Sequence, residues 1–270
     1  MVEVNLNIGG QQMEFTFPSS WNELDRKGLL YVADKWQSWT YMIKSGVSLQ
    51  RAKALLFIAL LKGRATDKYR LTDYLPHINN EKLYECTQLA NFLFDAPGLT
   101  KNLLPTIRIG FRKLHGPSDF LSNCCIGEFN AAMASFNRYN VTNDEKDLDL
   151  FILSLYRPRR LAIHTDGDKR QPFALAAVSR YKKQLLKVDF ATKIAVWLYF
   201  YGCMEALCAR YPEVFENKGS AKTRDFGWTS VILGLAGDKF GSFDDTAKTN
   251  LHLIFISLVN LAEQNKKDKK

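Results

Sequence analysis

An apolar run that stops at a proline sets the strongest constraint on this chain. Leu148, Leu150, Phe151, Ile152, Leu153 and Leu155 follow Asp147 and lead into Tyr156-Arg157-Pro158-Arg159-Arg160. The spacing predicts an apolar helix that must be buried against something. Pro158 ends it, because proline has no N–H for the next helical turn and biases Arg157 away from helical angles. Three arginines therefore gather where the helix stops. The charge balance changes here as well. Through Leu150 there are 17 Lys/Arg against 16 Asp/Glu, and after it 20 against 12. A basic half of this kind attracts nucleic acid, an acidic partner or an anionic membrane, or is a solvated lysine-rich surface.

Most of the remaining chain reads as helix. With 270 residues it can bury a core without disulfides or metal. Leu29 to Gly46, Ser48 to Lys62, Glu81 to Phe94, Ser118 to about Tyr139, Phe173 to Lys187, Phe190 to Arg210 and Ser242 to about Gln264 carry helical spacing or helix-capping residues. Asn143 is the expected cap of the helix that contains the opening run. The start of the chain differs. Val2, Val4, Leu6 and Ile8 alternate with polar residues, Gly9-Gly10 follows, and Met13, Phe15 and Phe17 alternate again, which predicts a β-hairpin. An isolated hairpin is marginal, so Phe15 and Phe17 need a face to cover them, either the helical body or another subunit. The expected fold is mainly α: a multi-helix globular bundle with a short N-terminal β-hairpin. It divides into a hairpin over 1–18 packed on the helical body, a near-neutral helical region over 19–158 and a basic helical region over 159–270. The apolar faces on both sides of Pro158 are wide enough to share one core.

The motifs that carry chemistry are missing. His77, His115, His164 and His252 have no zinc-binding spacing, and His252 lies in an apolar stretch as a satisfied histidine would. Five cysteines include no CxxC pair, and Cys124 and Cys125 are adjacent, which suits free thiols in a reducing compartment. No phosphate loop, nucleophile elbow or dinucleotide fingerprint is present. The carboxylate pairs Asp144-Glu145, Asp147/Asp149 and Asp244-Asp245 stand where helix first turns are expected, so they compensate the dipole. No cofactor, metal or enzymatic activity is expected. No basic segment precedes an apolar core at the N-terminus, so no signal peptide is expected. Lys193 and Glu205 interrupt the most apolar run, Phe190 to Leu207, which reads as a buried helix and not a membrane span. The candidate binding residues for a partner or an anion are Arg157, Arg159 and Arg160 and, further on, Arg180, Lys183 and Lys187. Three readings stay open for them: a solvated face, a surface for an acidic protein, or a nucleic-acid contact with Tyr156 and Tyr181 nearby. The first trio could also satisfy the carbonyls at the end of the preceding helix.

Several short segments resemble proteins from the tail and neck modules of tailed phages and prophages. They are the hairpin followed by Pro18-Ser-Ser-Trp21-Asn-Glu23-Leu24, then Asn91-Phe-Leu-Phe94 with Leu99-Thr-Lys-Asn-Leu-Leu-Pro105, then Gly127-Glu128-Phe129, Leu155-Tyr156-Arg157-Pro158 and Phe226-Gly227-Trp228. The resemblance implies a non-enzymatic assembly or structural role, similar to a tail-assembly chaperone. The implied partners are other phage structural or tail proteins and further copies of the chain. The implied location is the bacterial host cytoplasm during assembly, or the virion.

Overall fold

The structure is a computed structural model that describes residues 1–8, 11–44, 49–61, 79–160, 168–174, 188–215, 227–237 and 239–268. The chain is mainly α-helical, with a two-stranded antiparallel sheet at its N-terminus. It forms two compact units, one of residues 1–99 with 190–202, the other of residues 100–189 with 203–270. Pro158 lies inside the second unit, so the loop after it is not where the units part.

The first unit begins with β1 (Val2–Ile8) and β2 (Gln11–Phe17), paired from Val2↔Phe17 to Ile8↔Gln11. Period-2 alternation turns Val4, Leu6, Phe15 and Phe17 to one side, and all four are buried. The chain itself supplies their cover. The Phe17 ring lies 5.1 Å from Phe57 and 6.5 Å from Phe92. Phe57 belongs to α2 (Leu49–Leu60), which follows α1 (Arg26–Lys44), and Phe92 belongs to a 3₁₀ turn that continues α3 (Asn80–Thr87). Trp21 is buried too, and its indole N–H donates to the Phe92 carbonyl at 2.8 Å. Ser20 opens the 3₁₀ turn Trp21–Glu23 without a side-chain cap bond, and Ser19 donates to Glu23 through its backbone N–H and its hydroxyl.

The second unit holds a second sheet, in a stretch where Pro105, Gly110 and Gly116 signal a connector with short helical or extended pieces. β3 (Thr106–Ile109) and β4 (Arg112–His115) form a hairpin, and β5 (Arg157–Pro158) pairs with β4. The turn is Gly110-Phe111, with Gly110 at a φ of 59°, as a type II′ turn requires of its first central residue. α4 (Ile126–Thr142) and α5 (Glu145–Leu155) follow as an antiparallel pair. Asn143 does not cap α5 as expected. It ends α4 in the left-handed conformation, with a φ of 53°, and Asp144 caps α5 by accepting the Lys146 N–H. The helix stops one residue before Tyr156, and Pro158 takes the edge position that proline tolerates in a sheet.

α6 (Phe190–Arg210) covers the range its apolar pattern predicts. It is followed by α7 (Pro212–Phe215), α8 (Trp228–Leu235), α9 (Phe243–Lys248) and α10 (Leu251–Lys267). The single last helix expected from Ser242 is thus two. Thr249 turns to extended angles and Asn250 caps the next helix by accepting the His252 N–H. Phe129, Trp228, Phe215, Tyr211 and Phe255 meet edge to face at centroid distances of 5.3–5.8 Å, with Phe129, Tyr211 and Phe255 buried and Phe215 and Trp228 half-buried. Among the described residues, no helix is long and apolar enough to cross a membrane.

Candidate functional site

The end of α5 and the start of α4 meet in a buried cluster of charges. Glu128 is in the first turn of α4, where a carboxylate opposes the helix dipole. Its backbone N–H donates to Cys125 Sγ, and its side chain turns inward, 1% exposed. Arg157 contacts Glu128 Oε1 at 2.9 Å and Oε2 at 3.2 Å through its two terminal nitrogens. Arg170, also 1% exposed, donates to Glu128 Oε1 and grips Asp168 through Nε at 3.0 and 3.2 Å. Two cations and two carboxylates thus neutralise one another out of water.

The remaining donors close off backbone groups. Arg157 donates to the carbonyls of Gln171, at 2.7 Å, and Ser154, at 3.2 Å. Arg170 reaches the carbonyls of Leu155, at 3.0 Å, and Asn123, at 2.9 Å. The last carbonyls of α5, orphaned where Pro158 forbids another turn, are therefore bonded by arginines. Backbone pairing between 158–160 and 169–171 fixes Arg170 in place, with Arg160 N–H to Lys169 at 2.9 Å and Gln171 N–H to Pro158 at 2.9 Å.

This environment makes the neighbouring thiols inert. Burial, and then the charge of Glu128, push Cys124 far above the ordinary thiol range, and the same two causes raise Cys125. Both stay protonated, which removes their nucleophilic form. Burial alone would lower Arg170, but the carboxylates of Glu128 and Asp168 more than offset it and hold its charge.

Two pockets open beside the cluster and share Ser122, Asn123 and Asp168 in their walls. One, of about 460 Å³, adds Cys125, Arg160, Phe173 and Lys248. The other, of about 640 Å³, adds Lys113, His115, Asp119 and Lys169. Tyr156 backs this region, donating its hydroxyl to the Leu104 carbonyl at 2.8 Å. A methyl group on Gly116 would meet the Tyr156 ring at 2.5 Å, so only glycine lets the end of the β3–β4 hairpin lie against that ring.

His252 is a satisfied histidine. Nε2 donates to the Phe120 carbonyl at 3.1 Å, since a carbonyl only accepts, and Nδ1 accepts from the Tyr211 hydroxyl at 3.2 Å. Burial lowers its pKa. Phe120 and Leu121 are held at φ values of 56° and 54°, a left-handed pair that strains side-chain-bearing residues.

The candidate arginines near Pro158 separate. Arg157 is buried in the cluster, Arg160 is partly buried, and Arg159 faces solvent. Arg180, Lys183 and Lys187 lie outside the described residues, as do Tyr181 and most of the helix expected over Phe173 to Lys187. Phe15 and Phe17 are core residues of the first unit. Asp147 stands in the first turn of α5, as dipole compensation predicts, and bonds Arg138 at 2.9 Å, whereas Asp149 lies beyond that turn and is fully buried. Glu128, Asp168 and Asn123 carry no spacing that marks a site, because their meeting with Arg157 and Arg170 depends on segments far apart in sequence. Among the described residues, no group of three His, Cys, Asp or Glu side chains stands close enough to hold a metal ion. In comparisons with protein-family models, curated proteins and solved structures, nothing matches the chain.

Proposed function

We propose that this is a non-enzymatic assembly or structural protein of a tailed phage or prophage, a tail or neck component or a tail-assembly chaperone, that works through protein–protein contacts. The observation that carries the reading is the C-terminal helix. Leu251, Ile254 and Phe255 on one side of α10 are buried, while Leu253 and Ile256 on the other are 57% and 47% exposed. A soluble helix normally keeps one apolar stripe. One that is apolar on two sides has a second surface to cover, and burying the exposed half of a leucine or isoleucine there is worth about 1 kcal/mol per side chain.

The charge cluster supports the same reading by what it does within the fold. Its arginines and carboxylates bond one another and the end of α5, which is structural work. The phage assignment rests on the segment resemblance, and Gly127-Glu128-Phe129 and Leu155-Tyr156-Arg157-Pro158 are the segments whose side chains build the cluster. Size-exclusion chromatography with light scattering, on the full chain alone and mixed with tail and neck proteins of the same virus, tests the proposal. Complexes or defined oligomers are expected. A monomer that binds none of them overturns it.

A further inference from the structure

The three-stranded sheet has a buried side and a charged side. Ile107, Ile109 and Leu114 are buried, and the alternation leaves Arg108, Lys113 and His115 off that face. Arg108 and Lys113 are register partners, so two cations stand directly opposite each other, an arrangement that destabilises an antiparallel pair. Arg159 continues the chain from β5, and Lys169 lies on the segment paired with it. Their charges and that of Lys113, after burial, hold the His115 pKa down. Among the described residues, none of Arg108, Lys113, Arg159 and Lys169 pairs with a carboxylate. The acids at the adjoining pocket are already engaged. Asp168 is bonded to Arg170, and Asp119 accepts the Asn102 N–H at 2.8 Å.

The hairpin tip adds an aromatic ring. Phe111 is 112% exposed, more open than in an extended peptide, between Gly110 and Arg112. The pocket beside the sheet, about 640 Å³ with Lys113, His115 and Lys169 in its wall, falls in the range of about 300–1,000 Å³ typical of ligand sites. Uncompensated cations across adjacent strands next to one open ring are the two elements that hold an unpaired strand: phosphates on the charges, a base on the ring.

We propose that this face binds single-stranded nucleic acid, with phosphates on Arg108, Lys113, Arg159 and Lys169 and a base stacked on Phe111. The site is separate from the apolar side of α10 and stands or falls without it. It also differs from the contact expected at Arg157, whose charge is neutralised by Glu128.

Fluorescence anisotropy of a short labelled oligothymidylate, titrated with the full chain over a range of salt concentrations, tests the site. Binding is expected at low salt and should weaken as salt rises. Each of Arg108→Ala, Lys113→Ala and Lys169→Ala should flatten the log–log salt slope by about 0.7. Phe111→Ala should weaken binding about 5- to 150-fold, the equivalent of one stacked base, and leave the slope unchanged. All four side chains are exposed, so far-UV circular dichroism should match the parent chain. Absence of binding at low salt overturns the proposal. So do equal affinities for the parent and the variants, or displacement by polyglutamate or anionic vesicles at concentrations where unlabelled oligonucleotide has no effect.

Discussion

Glu128 is the residue on which the second unit's charges balance. Arg157 and Arg170 both contact it out of water, so its removal leaves two buried guanidinium groups with one carboxylate between them. Breaking a buried pair from one side typically costs about 3–5 kcal/mol. Glu128→Gln is therefore expected to lower the unfolding free energy by an amount in that range, seen as a lower urea midpoint, and an unchanged midpoint would show that the cluster does not hold the fold. At His115, burial and then Lys113, Arg159 and Lys169 depress the pKa. The unfolded chain then binds the extra proton first as pH falls. The histidine's contribution to stability is whole above about pH 6.5 and is lost as pH falls through the folded value. An NMR titration should place the His115 midpoint below the usual histidine range, and Lys113→Ala should move it back up. A midpoint that ignores Lys113 would contradict the charged face drawn for the sheet.

Close approach of backbones decides several element positions. A methyl group on Gly202 in α6 would stand 2.5 Å from the backbone N and O of Leu99 and 2.7 Å from the Pro97 carbonyl oxygen. Gly202→Ala should therefore destabilise by about 1–3 kcal/mol, as overpacking does, measured by thermal or urea unfolding; a neutral result would mean that the 97–99 segment yields easily. Local rules were enough for elements whose signals lie within them. The N-terminal hairpin, α2, α6 and the stop before Pro158 follow from alternation, apolar spacing and a missing N–H. Thr106-Ile-Arg-Ile109 and Arg112-Lys-Leu-His115 around Gly110 also carry a hairpin signal, but Pro105 and Gly116 beside them read more readily as a connector. Asn143 was misplaced because the same residue type caps a helix start and, in the left-handed conformation, a helix end.

At the scale of the molecule, the fold class was legible in apolar periodicity, while the site was not. The cluster needs Glu128, Arg157 and Arg170 together, and only tertiary pairing of 158–160 with 169–171 delivers Arg170 to the other two. The unit boundaries were equally hidden, since α6 begins in one unit and ends in the other. The net positive charge likewise gave no hint that Arg157 would be neutralised inside while Arg108 and Lys113 stayed at the surface. Leu253 and Ile256 on the outer side of α10 are the side chains proposed to meet a protein partner. The most direct measurement is the molar mass of the full chain by light scattering, alone and with the tail and neck proteins proposed as partners, against Leu253→Glu/Ile256→Glu. Both side chains are exposed, so the double variant should keep the parent circular dichroism. Oligomers or complexes are expected for the parent chain, and their loss is expected in the variant. Identical masses for the two under every condition would contradict the proposed contact.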